Sequence, residues 1–179
     1  MIHRLNWGCG PITPYGWVNS DIRPGAGIDV VGDIRAGLPI ADHVFDYAVS
    51  IHALPEIPYP DLDRTLSELR RVLKPGGVLR LGLPDLEKAI EAYKTKDVDY
   101  FFLIPDEAVQ SLTGKMIVQL LWYGCSRTMF TTEFAAELLA RNGYHTIQPC
   151  TFRETRSSFP GIVELDDRQV ESFFIEATA

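Results

Sequence analysis

Apolar and polar positions follow two different periods along this chain of 179 residues. Short apolar runs bounded by turn-forming residues predict seven strands, at residues 4–7, 17–21, 28–31, 45–50, 78–83, 144–152 and 169–176. Elsewhere apolar residues recur every three or four positions, which predicts helices at residues 60–74, 85–94, 106–122 and 132–142. This alternation of strands and helices is typical of an α/β sheet with crossover helices.

Two connections in this pattern are unusual. Only about ten residues, rich in Pro, Gly and Thr, join the first two strands, whereas a crossover between parallel strands normally takes a dozen or more. The first crossover helix is therefore expected to be reduced or absent. The last two strands are joined by a polar loop at residues 153–168, which predicts an antiparallel hairpin at the sheet edge.

Composition and charge exclude several classes of protein. The length predicts a single domain, residues 1–179. The net charge of −7 argues against a nucleic-acid partner. The longest strongly apolar stretch, near residues 116–123, is too short to span a membrane, and we see no signal peptide. Three cysteines without a Cys-x-x-Cys pair indicate reduced thiols, and four scattered histidines indicate no metal site. We therefore expect a cytoplasmic protein without a membrane partner.

The first strand and the turn after it carry the candidate binding chemistry. Gly8 and Gly10 flank Cys9 in a Gly-x-Gly turn, where glycines let a ligand approach the backbone closely. Asp21 follows 11 residues after Gly10, at the end of the second strand. A carboxylate at that place can accept hydrogen bonds from both hydroxyls of a ribose. The pattern therefore predicts a nucleoside-shaped ligand across the turn, while Cys9 is expected only to fill space.

The chain resembles the class I S-adenosylmethionine-dependent methyltransferases, and more narrowly the small type 11-like predicted methyltransferases of bacteria. The resemblance is dense over residues 5–86 and rests on an ordered set of motifs: Leu5-Asn6-Trp7-Gly8-Cys9-Gly10, Gly16-Trp17-Val18-Asn19-Ser20-Asp21, Val31-Gly32-Asp33-Ile34, Phe45-Asp46-Tyr47-Ala48-Val49-Ser50-Ile51-His52, and Leu69-Arg70-Arg71-Val72-Leu73-Lys74-Pro75-Gly76-Gly77.

That resemblance implies a Rossmann-like seven-stranded sheet of order 3-2-1-4-5-7-6, with strand seven antiparallel and helices on both faces. It also implies S-adenosylmethionine as the cofactor. The turn at Gly8, Cys9 and Gly10 would meet the methionine part, Asp21 the ribose, and Asp33 the adenine amino group.

Further residues are implied next to these. Ile22 and Ile34 would give apolar contact to the adenine ring, and Ser50 and Ile51 end the fourth strand at the ligand-bearing edge. His52 follows them and is a candidate catalytic base, since histidine exchanges a proton near neutral pH.

The function expected from this resemblance is transfer of a methyl group to a small-molecule acceptor, by in-line attack of an O, N or C nucleophile. A helical, substrate-side insertion at about residues 97–123 is expected to decide which acceptor binds.

Two alternatives stay open at this point. A non-catalytic cofactor-binding module is suggested by the missing first helix, and by Leu54-Pro55-Glu56 where relatives often read Leu-Glu-His. A nicotinamide-dependent oxidoreductase would need a third glycine and a helix after the turn. Here Pro11 and Pro14 follow instead.

Overall fold

A computed structural model describes residues 2–179 of the chain. Four α-helices occur among these residues, α1 Leu62–Val72, α2 Leu86–Thr95, α3 Leu112–Leu121 and α4 Thr132–Arg141. The strands are β1 Arg4–Trp7, β2 Val18–Asp21, β3 Val30–Val31, β4 Phe45–Ile51, β5 Leu73–Pro84, β6 His145–Cys150 and β7 Ser172–Thr178. None of the described helices is both long and apolar enough to cross a membrane.

The strands form one sheet in the order β3-β2-β1-β4-β5-β7-β6. The pairs from β3 to β5 are parallel, and β7 runs antiparallel to both β5 and β6. The predicted order and the antiparallel strand are therefore confirmed. In this topology the parallel strands end at one edge of the sheet, where open α/β sheets bind their ligands.

No helix lies between β1 and β2, as the short connection predicted. Instead of a helix, the buried side-chain amides of Asn6 and Asn19 hold the connection between these strands. The Nδ2 of Asn6 donates to the carbonyl of Ile12 at 2.8 Å and to Oδ1 of Asn19 at 3.1 Å. The Nδ2 of Asn19 donates in turn to the carbonyl of Pro14 at 3.3 Å. Because Asn6 and Asn19 are register partners on adjacent strands, they hold the loop by hydrogen bonds rather than by helix packing.

The main core lies between the sheet and the helices α1 and α4. The helical period predicted for α1 is confirmed, since its apolar stripe is fully buried. Together the two helices bury Leu62, Leu66, Leu69, Val72, Ala135, Leu138 and Leu139. A fully buried aliphatic side chain contributes about 1.5–3 kcal/mol of transfer free energy, so this layer is a major source of stability.

The polar loop before β7 covers the other face of β5. A buried arginine of β5 holds this loop in place. Arg80 is completely buried and donates all five of its N–H groups. Its Nε and Nη2 donate to the carboxylate of Asp166, and its Nη1 donates to Oε1 of Glu176 at 2.6 Å. The remaining two N–H groups donate to the carbonyls of Thr151 and Glu154, both at 3.1 Å. These contacts fix the loop against the sheet.

Two predicted boundaries were wrong by more than three residues, and the others lie within three residues of the observed bounds. Helix α3 begins at Leu112 rather than at residue 106, because the hydroxyl of Ser111 caps it by accepting from the N–H of Gly114 at 3.1 Å. Strand β5 begins at Leu73, before Pro75-Gly76-Gly77, because Leu73 already pairs with Phe45 of β4.

Replacing Arg80 tests the buried cluster. We expect Arg80→Met to lower the free energy of unfolding by about 3–5 kcal/mol, since it leaves two buried carboxylates without their cation. Arg141→Met is the matched control, because Arg141 pairs with Asp63 at the surface and such pairs contribute at most about 1 kcal/mol. Urea denaturation of both variants measures the difference. Equal losses would show that the cluster does not hold the fold.

Candidate functional site

The Gly-x-Gly turn lies where β1 ends, and its N–H groups are all used within the protein. The N–H groups of Gly8 and Cys9 donate to the carbonyl of Ser20 at 2.8 and 3.1 Å. The N–H of Gly10 donates to Oδ2 of Asp21 at 2.9 Å. The turn is thus tied to the tip of β2, and these three N–H groups are already paired.

The two glycines have different surroundings. Both have positive φ, +67° for Gly8 and +52° for Gly10. A Cβ on Gly8 would lie 2.1 Å from the Cβ of Ala53, so this residue packs tightly against the segment after β4. A Cβ on Gly10 would have no heavy atom within 4 Å, so Gly10 faces open space.

Asp21 stands beside that open space. Its Oδ2 accepts from Gly10, and its Oδ1 accepts from the N–H of Arg23 at 3.0 Å. A carboxylate has about four acceptor positions, so both oxygens can accept again. The next residue, Ile22, exposes 55% of its surface, which leaves an apolar face next to the carboxylate.

Asp33 is placed at the same edge, but its carboxylate is already paired with Arg35. Oδ1 accepts from the backbone N–H and from Nε of Arg35, both at 2.9 Å, and Oδ2 accepts from Nη2 at 2.7 Å. The hydrogen bonds from the Arg35 side chain are the main reason why the pKa of Asp33 lies below its usual range. Ile34 is 3% exposed and belongs mainly to the core.

Of the two residues predicted at the end of β4, only one lines the cleft. Ile51 lines the cleft described below, but Ser50 does not reach it. Because side chains alternate along a strand, Ser50 faces away from Ile51. It is 1% exposed, and its hydroxyl has no partner among the described residues.

His52 adopts a left-handed backbone, with φ of 58°. Its Nε2 lies 2.7 Å from Oγ of Ser172. Burial, together with the charge of Arg168, lowers the pKa of His52 to about 3. The ring is therefore neutral at pH 7 but is a weak base, and one of its nitrogens is already paired.

Apart from Ser50, the residues predicted for the site line one cleft of about 1200 Å³. Its turn side holds the turn after β1, Asp21, Ile22 and Asp33, and its helix side is formed by α2, α3 and residues 165–171. Ligand pockets are usually about 300–1000 Å³. The cleft therefore has room for two small molecules side by side.

Sequence reasoning missed several residues of this cleft. On the turn side it missed Glu56, whose pKa is raised by burial and by the charge of Asp21. On the helix side it assigned no role to Gln119, Arg168 and Glu171. Gln119 was visible as the one amide in the apolar stretch 116–123, whereas Glu171 joins the site only through tertiary packing.

Asp85 caps the N-terminus of α2. Its Oδ1 accepts from the N–H groups of Glu87 and Lys88, at 3.0 and 3.2 Å. Asp85 also lines the cleft.

Comparisons with known proteins agree on one kind of protein. A family model described as "Methyltransferase domain" matches residues 19–81. Over 57 residues the chain is 46% identical to a "Probable methyltransferase ltbC" of Aspergillus luteorubrus. That match covers 31% of this chain and 20% of the fungal protein, so the chain spans only a small part of that relative.

Solved structures show the same fold over nearly the whole chain. One is a Thermotoga maritima S-adenosylmethionine-dependent methyltransferase, described as a possible histamine N-methyltransferase. It is 21% identical, with a TM-score of 0.60 over 98% of this chain and 81% of that one. A second, from Archaeoglobus fulgidus, is also a SAM-dependent methyltransferase. It is 13% identical, with a TM-score of 0.59 over 99% of this chain and 86% of that one.

A third structure contains the cofactor. It is phosphoethanolamine N-methyltransferase 2 of Haemonchus contortus in complex with S-adenosyl-L-methionine. It is 13% identical, with a TM-score of 0.52 over 99% of this chain and 48% of that one. The family model and these structures together support the family that the sequence motifs indicated.

The two glycines offer a matched pair of substitutions. Gly8→Ala should lower the free energy of unfolding by about 3 kcal/mol, because it combines an unfavourable positive φ with a clash against Ala53. Gly10→Ala meets no neighbouring atom and should cost only about 1 kcal/mol. Urea denaturation compares the two. A loss at Gly10 as large as that at Gly8 would contradict the difference in packing.

The lowered pKa of His52 predicts an effect of pH on stability. Between pH 6.5 and 3 the unfolded chain binds a proton at His52 that the folded chain does not, so the free energy of unfolding falls on acidification. His52→Asn removes this proton site and still tolerates the left-handed backbone. The variant should therefore lose less stability than the parent between pH 7 and pH 5, measured by urea denaturation. Parallel losses in both proteins would refute the shift.

Proposed function

We propose that this protein, which the comparisons support as a class I S-adenosylmethionine-dependent methyltransferase, transfers a methyl group to a small-molecule acceptor. The observation that carries the proposal is the single cleft of about 1200 Å³, which joins the turn side at Asp21 to a helix side lined by aromatic and buried polar residues. One side suits a nucleoside, and the other gives a second molecule its own surface.

The residues on the turn side fit the adenosine part of the cofactor. Gly10 leaves open space above the turn. Asp21 keeps acceptor capacity for ribose hydroxyls, and Ile22 offers an exposed apolar surface for the ring. Asp33 can accept from an adenine amino group only in addition to its pairing with Arg35.

The same turn does not suit a pyrophosphate. Dinucleotide sites bind phosphate with free N–H groups at a glycine turn and at the start of a helix. Here the N–H groups of Gly8, Cys9 and Gly10 are paired within the protein. This supports the methyl-donor cofactor over a nicotinamide dinucleotide.

When bound, S-adenosylmethionine supplies a methyl group on a positively charged sulfur that is already activated. The protein then has to align the acceptor and exclude water. Tyr100 and Trp122 line the helix side and are suited to both tasks. His52 is a poor candidate for a strong base, because its pKa lies near 3 and its Nε2 is close to Ser172.

A small molecule is the acceptor that this surface supports best. The net charge of −7 opposes nucleic acid. The helix side also buries its polar groups, as a pocket for a small ligand does. The free thiols of Cys9, Cys125 and Cys150 are in keeping with work in the reducing cytoplasm.

Binding of S-adenosylhomocysteine tests the cofactor site. At a hundredfold excess over its Kd, this ligand should stabilise the protein by about 2.7 kcal/mol, which corresponds to about 5–10 °C in Tm. Asp21→Asn should raise the Kd about 10- to 100-fold, since a hydrogen bond to a charged group contributes about 1.5–3 kcal/mol.

Asp99→Asn is the matched control, because Asp99 is exposed and does not line the cleft. Absence of any shift with S-adenosylhomocysteine, or a larger shift with NAD, would overturn the proposal. Tight binding without turnover on any acceptor in a methyl-acceptor screen would favour a non-catalytic binding module.

A further inference from the structure

The helix side of the cleft contains three buried polar side chains with unused atoms. Asp85 and Gln119 are each 8% exposed, and Glu171 is 6% exposed. All three line the cleft. Buried polar groups normally have hydrogen-bond partners, so each unpaired atom calls for an explanation.

Asp85 and Glu171 are neighbours through their backbones. The backbone N–H of Asp85 donates to the backbone carbonyl of Glu171 at 2.8 Å. Oδ1 of Asp85 caps α2, but among residues 2–179 its Oδ2 has no donor. Oε1 of Glu171 has one long contact with Nη1 of Arg168, at 3.5 Å, and its Oε2 has none in the same range.

The cations nearby are only partly engaged with these acids. The guanidinium of Arg168 lies over the ring of Trp122, 5.3 Å from its centroid. The Nζ of Lys88 donates to the backbone carbonyl of Ser172 rather than to a carboxylate. Asp167, which also lines the cleft, adds a third negative charge. Arg127, which follows α3 in the chain, also lines the cleft, so three acids face two arginines here, and this small excess of negative charge favours a cation over an anion.

Tyr100 places an aromatic wall next to the two acids. Burial raises the pKa of its phenol, and the charges of Asp85 and Glu171 raise it further. The side chain is therefore a neutral aromatic group close to both carboxylates. Together with Trp122 it offers ring faces, which attract cations held over them.

Gln119 supplies an independent sign that a ligand belongs here. Its Oε1 is buried and accepts no hydrogen bond within the described chain. Leaving such an acceptor unpaired costs about 1–3 kcal/mol. Rotation about the last side-chain torsion, which is broad for glutamine, can turn either end of the amide toward the cleft. A ligand N–H would satisfy the oxygen.

We infer that the helix side of the cleft binds the methyl acceptor as a small arylalkylamine, with Glu171 and Asp85 pairing with its ammonium group and Gln119 accepting an N–H. This inference rests on the proposed function. The ammonium group gives a charged donor to the two carboxylate oxygens that accept no hydrogen bond among residues 2–179, Oδ2 of Asp85 and Oε2 of Glu171. A carboxylate can also take the proton that the ammonium must lose before its nitrogen lone pair can act as a nucleophile.

Calorimetry with three probes of the same shape tests the inference. Protein saturated with S-adenosylhomocysteine is titrated with 2-phenylethylamine, 2-phenylethanol and phenylacetate. We expect the amine to bind at least tenfold more tightly than the alcohol, and phenylacetate not to bind. Glu171→Gln should weaken amine binding at least tenfold without changing the affinity for S-adenosylhomocysteine. Glu91→Gln, an exposed residue of α2 outside the cleft, should change neither.

The outcomes separate this inference from the proposed function. If S-adenosylhomocysteine binds but the amine binds no better than the alcohol or the acid, the amine assignment is wrong and the methyltransferase proposal stands. Unchanged amine affinity in both Glu171→Gln and Gln119→Leu would also overturn it. If S-adenosylhomocysteine does not bind at all, the proposed function and this inference fail together.

Discussion

The buried guanidinium of Arg80 is the interaction on which the arrangement of the cleft depends. It lies at the centre of the sheet, paired in register with Glu176 of the antiparallel strand β7. Its second acid, Asp166, belongs to the loop that covers this face. Asp166 also accepts from the backbone N–H of Arg153 at 2.8 Å. Arg80 thus holds both ends of this polar loop against β5. The position of Asp166 is fixed in this way, and the chain continues from there to Arg168 and Glu171.

Hydrogen bonds also replace apolar packing at the other end of the site. Most crossover helices hold a glycine turn by packing on the sheet, and their free N–H groups then face the ligand. Asn6 and Asn19 hold the short loop here through their amides. The turn folds back on the tip of β2, so its N–H groups pair with Ser20 and Asp21. Because these N–H groups are paired, the turn offers no anion site. Beside it the protein offers the carboxylate of Asp21 and the exposed apolar surface of Ile22.

The sequence predicted all seven strands and all four α-helices that the described residues form, but the accuracy of their bounds varies. The bounds of β1 agree with the structure at both ends, since the Gly-x-Gly turn directly after Trp7 marks the end of the strand. The strand order came from the family resemblance and not from periodicity. The start of α3 was misplaced, since the residues before Ser111 fit a helical pattern but form turns instead. The cap at Ser111, a local hydrogen bond, prevailed over that pattern.

The two sides of the candidate site differ in how far local sequence could predict them. Gly10 and Asp21 are 11 positions apart and come together through two adjacent strands, so local sequence suffices to place them. Asp85 and Glu171 are far apart in the chain and meet only because β7 inserts beside β5. Their meeting depends on tertiary packing, which no local pattern around either residue predicts. Local motifs therefore revealed the side of the cleft that we propose binds the cofactor, whereas long-range packing builds the side that we propose binds the acceptor.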